Sequence, residues 1–346
     1  MRRWHRILWI MVTVLMVFSF SSCKKQESAE LNNPISEEQK VKEDNVVKEQ
    51  KRMMISPYTG EEIEEDTYKN IPFMAVVENH RAARPQSGLS SADILFETLA
   101  EGGIPRFIAL FHKNNADEIG PIRSIRAYFL DIAREYNLPF AHCGGSPDAL
   151  ETIRNKGLMS LNEFAYGPYY YRDRSRRAPH NLYTSSHRIT KAIEKNDYIR
   201  QPQSGLEFDE NFWKNETLTN ANDIKIVFNG FYTTSYIFEN GLYKKYMNGE
   251  IAIDKNNNNP LTAKNIIIQI AKLNYRNDEK GRIDIDLIGK GEGFLISNGK
   301  YIKIKWSRAG VKSNTKITDE KGNQVYFNVG NTHWCIVDHS AKIEIK

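Results

Sequence analysis

Three apolar runs decide the fold: FMAVVE at residues 73–78, DILFE at 93–97 and RFIALF at 106–111. The first is apolar on both faces, which predicts a buried strand. The second and third flank Gly102-Gly103, and a glycine turn between two β-favouring runs predicts a hairpin. Together they predict the sheet of a domain that mixes helices and strands.

Helical segments alternate with these strands. Residues 128–136 carry apolar side chains at the spacing of one helix face, and a strand is predicted at 140–142. The run GGSP at 144–147 then begins a second helix, with Ser146 as the N-cap and a proline in the first turn. We therefore predict an N-terminal α/β domain with a mixed sheet at residues 56–200.

The chain changes character after a polar connector at 201–222. Three Asn-Gly pairs, at 240–241, 248–249 and 298–299, each lie between β-favouring residues, which is the strongest short hairpin signal. Further strands are predicted at 224–228, 266–270, 283–288 and 301–306. These patterns predict a β-rich C-terminal domain at 223–346, largely antiparallel or a small barrel, and an α+β fold for the whole chain.

The first residues have the pattern of a secretory signal. Three arginines precede an uncharged apolar stretch at 7–20, and small residues then lead to Cys23. This predicts a signal peptide at 1–22, because the apolar run is too short for a transmembrane helix of about 20 residues. The cysteine resembles that of a bacterial lipobox, which predicts lipidation of Cys23, including palmitate. Residues 23–55 are then the lipidated cysteine and a disordered tether, and the protein is predicted to be extracytoplasmic and anchored to the cell membrane.

Charge and cysteine content exclude several classes of protein. The chain has 48 basic and 43 acidic residues, and removing the three arginines of residues 1–22 leaves 45 minus 43, a net charge of +2. A nucleic-acid-binding domain is usually far more basic, so no nucleic-acid partner is predicted. Cys143 and Cys335 are far apart, and we predict two buried free thiols, although the sequence alone does not exclude a pair. No motif with zinc-ligand spacing is present.

A dense polar segment, YRDRSRRAPHN, occupies residues 171–181. It contains four arginines within six residues: Arg172, Arg174, Arg176 and Arg177. A guanidinium is a planar, always-charged fork that matches carboxylate and phosphate geometry. The segment is therefore a candidate anion-binding loop. The alternative is a solvated loop in which these arginines pair with Asp173 and nearby acids.

Two other segments contribute candidate site residues. ENHRAARPQSG at 78–88 contains Arg84, and GPIRSIR at 120–126 contains Arg123 and Arg126. Loops after strands are where α/β folds place their sites, and a cleft lined by these arginines would suit a phosphate, a diphosphate or a sugar acid. The alternative is structural ion pairing with the acids Glu78, Asp93, Glu97 and Glu101. The candidate acid–base groups are His142, His180 and Asp93, the last also a candidate metal ligand; the sequence identifies neither a metal nor a cofactor.

Several motifs resemble those of the YerB-type bacterial lipoproteins, a family of unknown function. They are PYTG at 57–60, ENH and ARPQSGL within 78–89, AEGGI at 100–104, IGPIRS at 119–124, GGSP at 144–147, SRRAPHNLY at 175–183, LTAKN at 261–265 and DIDL at 284–287. The resemblance covers nearly all of residues 56–340, and it implies a lipid-anchored envelope protein with an α/β domain followed by a β-rich one. Tyr58 stands where the family usually has Leu, and Cys143 where it usually has an apolar residue, so Cys143 is not expected to be functional.

The order of hairpin, arginine-bearing segment, helix, strand and glycine loop also resembles the LytR–CpsA–Psr phosphotransferases. That resemblance implies that Arg84, Arg123 and Arg126 hold a phosphate and that Asp93 approaches a metal ion. Such enzymes transfer lipid-linked glycan phosphates to the cell wall.

We expect a lipid-anchored cell-envelope protein that binds an anionic wall glycan or a phosphorylated envelope precursor. Two other classes remain open: a metal-dependent phosphotransferase or hydrolase acting on such a polymer, and a non-enzymatic adaptor for another envelope protein. The first two predict that Arg84, Arg123, Arg126 and Arg174 line one cleft with Asp93. Placement on separate faces favours the adaptor.

Overall fold

The computed structural model describes residues 51–276 and 278–346. The predicted signal peptide, Cys23 and most of the predicted tether lie outside these residues. The helices in the described part are α1 (Glu65–Tyr68), α2 (Ala127–Tyr136), α3 (Pro147–Lys156), α4 (Glu163–Tyr166) and α5 (Ser186–Lys195). Within the described ranges, no helix combines the length and apolar character that a membrane crossing needs.

The strands of the described residues are numbered in chain order. The first nine are β1 (Met53–Ile55), β2 (Glu62–Glu64), β3 (Phe73–Glu78), β4 (Ile94–Leu99), β5 (Pro105–Phe111), β6 (Phe140–His142), β7 (Ser160–Asn162), β8 (Tyr171–Arg172) and β9 (Leu182–Tyr183). The remainder are β10 (Thr219–Asn220), β11 (Asp223–Val227), β12 (Thr233–Glu239), β13 (Leu242–Met247), β14 (Glu250–Ile251), β15 (Thr262–Ala263), β16 (Asn265–Ile270), β17 (Leu273–Tyr275), β18 (Ile283–Ile285), β19 (Gly289–Ser297), β20 (Lys300–Arg308), β21 (Lys316–Asp319), β22 (Thr332–Val337) and β23 (Lys342–Ile345).

A mixed central sheet organises the fold. Its strand order is β10-β20-β19-β16-β22-β4-β5-β3-β6-β7, with β21 paired to β20. The predicted hairpin is present, because β4 pairs antiparallel with β5 across the glycine turn. The predicted helix at 128–136 corresponds to α2, and the predicted strand at 140–142 is β6. The α+β fold class predicted from the sequence is thus confirmed.

The C-terminal segment differs from the expected separate sheet or barrel. One part forms a second sheet in the order β14-β13-β12-β11-β23, with β15 on β13, and this sheet contains two of the predicted Asn-Gly hairpins. The other part joins the central sheet, where β22 lies parallel to both β4 and β16. Every residue of β22 is buried, which is the pattern of an internal strand, but that pattern does not specify the neighbouring strands. The domain boundaries at 200 and 223 stay predictions. Strands from both predicted domains belong to the central sheet.

The two faces of the central sheet are covered differently. Successive residues of a strand point to opposite faces. In β4, Phe96 contacts Tyr136 of α2, with ring centroids 6.0 Å apart, whereas Glu97 contacts Lys245 of the second sheet. At β4, α2 therefore lies on one face of the central sheet, and the second sheet lies on the other.

Candidate anion-binding surface

Three parallel strands place their carboxyl ends at one edge of the central sheet. β3 lies parallel to β6, and β6 lies parallel to β7. The residues at these ends are Glu78 and Asn79, then Cys143, then Glu163. Segments that leave the carboxyl ends of parallel strands meet at the same edge and commonly form the ligand site of an α/β fold.

Glu78 is the centre of a polar cluster at this edge. Its side chain is nearly buried; Oε1 lies 3.1 Å from Arg123 Nε, and Oε2 lies 2.9 Å from His180 Nδ1. The His180 ring stacks on His80 with centroids 4.9 Å apart. The carboxylate thus fixes the orientation of the His180 imidazole through Nδ1. The other ring nitrogen, Nε2, takes no part in this contact. A carboxylate–imidazole pair of this kind can act as a general base.

Arginines also connect the two loops that the sequence singled out. Arg176 Nη2 donates a hydrogen bond of 2.7 Å to the Pro85 carbonyl, so the loop at 172–181 packs against the loop at 79–86. Arg84 donates from Nε and Nη2 to Asn79, each at 3.0 Å. Arg81 and Arg84 line a cavity of about 260 Å³ beside residues 247–253, where Arg81 Nη2 donates to Glu250 Oε1 at 3.2 Å. We call Arg81, Arg84, Arg174, Arg176 and Arg177 the arginine surface.

The acid inside the loop does not neutralise these arginines. Asp173 accepts hydrogen bonds from the Ser175 hydroxyl and backbone N–H, and it pairs with Lys255 at 3.2 Å. The Ser175 bonds, aided by Lys255, lower the pKa of Asp173 to about 2. Arg174 and Arg177 are exposed, and within residues 51–276 and 278–346 their guanidiniums make no hydrogen bond or ion pair. Of the alternative interpretation, a solvated loop whose arginines pair with Asp173 and nearby acids, the pairing with Asp173 is not observed among the described residues, whereas the exposure of Arg174 and Arg177 agrees with it.

The other candidate arginines have acidic partners in the structure. Arg126 is mostly buried and donates from Nη2 to Glu101 Oε2 at 2.7 Å. Arg172 donates to Asn181 Oδ1 at 3.0 Å and lies 3.6 Å from Glu163 Oε1. Together with the Arg123–Glu78 contact, these contacts show that some of the candidate arginines form structural ion pairs, as the alternative interpretation proposed.

Asp93 lies at the opposite edge of the sheet. It precedes β4, whereas Glu78 ends β3, and these two strands run in the same direction on either side of β5. Asp93 Oδ2 accepts the backbone N–H groups of His112 and Lys113 at 2.7 and 2.9 Å. Burial raises the pKa of Asp93 to about 7. The expected single cleft, in which Asp93 joins Arg84, Arg123 and Arg126, is therefore absent from the described part of the chain.

The remaining chemical candidates are held in structural contacts. His142 is buried, with Nδ1 2.8 Å from the Gly144 carbonyl and Nε2 2.7 Å from Ser160 Oγ. Both nitrogens are thus occupied, so His142 does not form an acid–base pair with His180. Cys143 and Cys335 are free thiols, and burial raises the pKa of Cys143 to about 11. Within residues 51–276 and 278–346, no three His, Cys, Asp or Glu side chains are grouped as around a metal ion.

Family models match both halves of this architecture. Residues 58–199 match the N-terminal domain, and residues 224–334 the C-terminal domain, of a protein of unknown function, DUF3048. The chain belongs to the DUF3048 family. The resemblance to YerB-type proteins inferred from the motifs is confirmed by a relative from Bacillus subtilis (strain 168) named "Putative lipoprotein YerB". This relative is 33% identical over 260 residues, which are 73% of this chain and 78% of its own.

A solved structure extends the similarity to the fold of this DUF3048 chain. The crystal structure of the YerB protein from Bacillus subtilis superposes with a TM-score of 0.75 at 31% sequence identity. The match covers 84% of this chain and 99% of that one. The two proteins therefore share one fold over 84% of this chain.

Sequence reasoning missed a buried network behind the arginine surface of this DUF3048 protein. Asn79 accepts from Arg84 through Oδ1 and donates through Nδ2 to Tyr232 OH at 2.9 Å. Tyr232 in turn donates to Glu97, whose other oxygen binds Lys245 at 2.6 Å. One signal was available: Lys245 alternates with the apolar residues of β13 on its inward face, where an unpaired lysine is not tolerated.

Acidification is expected to destabilise the DUF3048 fold through His142. Burial lowers the pKa of this imidazole to about 4, against about 6.5 in an unfolded chain. As the pH falls below 6.5, the unfolded state takes up a proton that the folded state refuses until about pH 4. The free energy of unfolding should fall across this window by up to about 1.4 kcal/mol per pH unit.

Urea unfolding of the wild type and of His142→Gln between pH 7 and 4 measures this contribution. The variant should show a shallower dependence on pH, because it cannot take up that proton. His187→Gln, at an exposed position of α5, is the control and should keep the wild-type slope. Equal slopes for all three proteins would contradict the assignment.

Proposed function

We propose that the protein is a lipid-anchored, extracytoplasmic envelope protein that binds an anionic wall glycan or a phosphorylated envelope precursor through the arginine surface. The order of charged, apolar and small residues before Cys23, together with the lipoprotein name of the Bacillus subtilis relative, supports the anchor. The anchor makes the membrane its first partner. An anionic wall polymer is the second.

The separation of Asp93 from the arginines counts against a shared cleft and favours the adaptor class. The binding proposal rests instead on the state of the 172–181 loop. Asp173 is engaged by Ser175 and Lys255, so the exposed guanidiniums of Arg174 and Arg177 are not neutralised within their own loop. The Arg176–Pro85 hydrogen bond brings this loop to the cavity lined by Arg81 and Arg84. Guanidiniums from two joined loops suit a ligand with several phosphate or carboxylate groups.

Removing two exposed guanidiniums is expected to weaken binding without disturbing the fold. The variant is Arg174→Ala/Arg177→Ala, which leaves Arg176 and its hydrogen bond in place. Its affinity for wall teichoic acid or undecaprenyl diphosphate should fall about tenfold, the equivalent of about 1.4 kcal/mol. The affinity of the wild type should also decrease as salt increases, because exposed charges are screened.

The full chain, purified from membranes in detergent, is titrated with each polymer and with muropeptides. Arg154→Ala/Lys156→Ala is the matched control, since it removes the same charge from the exposed end of α3. An equal loss of affinity in this control would show that the effect comes from the net charge of the protein and not from the position of the arginines. Failure of the wild type to retain any of these compounds would sink the binding proposal and favour the adaptor class.

A second candidate, hydrolysis of such a polymer, is favoured by the Glu78–His180 pair. A carboxylate-oriented imidazole beside an anion site could activate water. The same incubations are therefore analysed for released fragments. Release that is lost in His180→Gln while binding persists would replace the binding proposal with an enzymatic one.

A further inference from the structure

A cavity of about 290 Å³ lies where α2 and α3 end and where β6 and β7 begin. Because β3, β6 and β7 are parallel, this edge of the central sheet is opposite the one that carries Glu78 and the arginine surface. Asn137 and Gly157 end the two helices in a left-handed backbone conformation, and both line the cavity. Both helix-to-strand connections therefore contribute to its lining. We call it the basic cavity, for the reason that follows.

Four cationic side chains line the basic cavity, and each comes from a different segment of the chain. Arg134 belongs to the last turn of α2 and Lys156 to the last turn of α3. Arg200 follows α5, and Lys312 lies in the loop between β20 and β21. In the described part of the chain, no Asp or Glu lines the cavity. The two lysines are exposed and Arg200 is half-buried, so these side chains are accessible to a ligand.

Negative groups nearby balance only part of this positive charge. One acid, Asp131, lies 3.8 Å from Arg134 Nη1. The other three cations form no ion pair with an acid of residues 51–276 or 278–346. Each helix C-terminus is equivalent to about half a negative charge, so the ends of α2 and α3 together balance about one cation. With Asp131 balancing a second, about two positive charges remain at the cavity.

The rest of the lining is largely apolar. Leu138, Phe140 and Met159 are buried, and Leu158 is half-buried. Because these side chains are covered while the lysines are exposed, the apolar residues form the floor of the cavity and the cations form its rim. A concave site with an apolar lining and a few charged groups is typical of small-molecule binding.

We propose that the basic cavity binds a small organic phosphate monoester, with the phosphate at the cationic rim and the apolar part on the floor. A phosphate monoester carries a charge of about −1.5 to −2 at pH 7, which matches the charge that the rim leaves unbalanced. Guanidinium groups bind phosphate oxygens in a bidentate manner, and lysine ammonium groups add compact positive charges. The cavity lies apart from the arginine surface and does not depend on anion binding there.

The test titrates the full chain in detergent by calorimetry with phenyl phosphate, inorganic phosphate and phenol, at about pH 7.5, where the monoester is doubly charged. Phenyl phosphate should bind about tenfold more tightly than either other compound, because only phenyl phosphate has both a phosphate and an apolar part. Arg200→Ala/Lys312→Ala, which removes two rim cations, should weaken its binding about tenfold. Leu158→Ser, which removes apolar surface from the floor, should reduce the preference for phenyl phosphate over inorganic phosphate.

Lys191→Ala/Lys195→Ala is the matched control, because it removes the same charge from exposed positions of α5. It should bind phenyl phosphate like the wild type. An equal loss in this control would assign the effect to net charge and overturn the proposal. So would absence of phenyl phosphate binding, an affinity for phenyl phosphate no higher than for phenol or inorganic phosphate, or an unchanged affinity in Arg200→Ala/Lys312→Ala.

Two variants already described separate this site from the arginine surface. Arg174→Ala/Arg177→Ala should bind phenyl phosphate normally. Arg154→Ala/Lys156→Ala removes one rim cation, so it should lose affinity for phenyl phosphate while it keeps its affinity for the wall polymer at the arginine surface. Loss of phenyl phosphate binding in Arg174→Ala/Arg177→Ala would place the ligand at the arginine surface and overturn the basic cavity.

Discussion

Replacing Lys245 by Met should lower the free energy of unfolding by about 3–5 kcal/mol, because the change leaves a buried carboxylate without its counter-charge. The Lys245 side chain is fully buried, and Nζ lies 2.6 Å from Glu97 Oε2 and 3.0 Å from Tyr236 OH. It also donates to Thr234 Oγ1. Glu97 is equally buried, so water cannot replace the lost ammonium.

The adjacent lysine provides the control for this prediction. Lys244 points to the other face of β13 and pairs with Glu239, and both side chains are substantially exposed. Exposed pairs contribute little to stability, so Lys244→Met should cause only a small loss. Urea unfolding followed by tryptophan fluorescence measures both variants. Similar losses for the two lysines would show that burial of the pair is not what makes it important.

A double variant distinguishes a lost charge from lost packing. Glu97→Gln/Lys245→Met removes both charges and keeps an amide oxygen that can accept from Tyr232. It should therefore be more stable than Lys245→Met alone, with a coupling energy above about 1 kcal/mol. A double variant that is no more stable than Lys245→Met would contradict the ion-pair argument.

Replacing Asp254 by Ala should lower the free energy of unfolding by about 2–4 kcal/mol, because one buried donor and three partly buried donors lose a charged acceptor. Asp254 is 1% exposed. Its carboxylate accepts from Gly88 N at 3.0 Å, Ser90 N at 2.8 Å, Ser90 Oγ at 2.7 Å and Asn256 N at 2.9 Å. This one side chain ties the β14–β15 connection to the segment at 86–91.

The backbone of the segment at 86–91 is also restricted by one of its own residues. Gly88 has φ of 86°, and a side chain there would meet the Glu118 carbonyl, so only glycine fits. Loss of Asp254 should also increase amide hydrogen exchange at residues 86–91. Asp319→Ala is the control: Asp319 binds donors of its own exposed turn, and its removal should have a smaller, local effect. An unchanged exchange rate at 86–91 would argue against the anchoring role of Asp254.

The sequence predicted the elements that local physics specifies. The glycine turn between β4 and β5 and the Asn-Gly turns of the second sheet each determine a hairpin within a few residues. The apolar face of α2 is likewise determined by residues that are close together in the sequence. The place of β22 could not be predicted, because its buried pattern suits any internal position of a sheet.

The candidate site was predictable only in part for a similar reason. Residue type and density identified the loop at 172–181, but the partners of its charges come from distant segments. Lys255 engages Asp173 across 82 residues of sequence, and Glu101 engages Arg126 from the turn after β4. Without these contacts, a free arginine and a paired arginine look alike in the sequence. The resemblance to the phosphotransferases led us to expect Asp93 beside the arginines. Asp93 precedes β4, whereas the loop that contains Arg84 follows β3, and because β3 and β4 run in the same direction these positions lie at opposite edges of the sheet.

The position of β22 between β4 and β16 has a consequence for how the protein is made. In the N-terminal part of the central sheet, one side of β4 has no partner strand until residues 332–337 have been synthesised. An open strand edge is a template for aggregation, and pairing between distant segments slows folding. A chain that is synthesised from its N-terminus can therefore complete the central sheet only after residues 332–337 have become available to pair with β4.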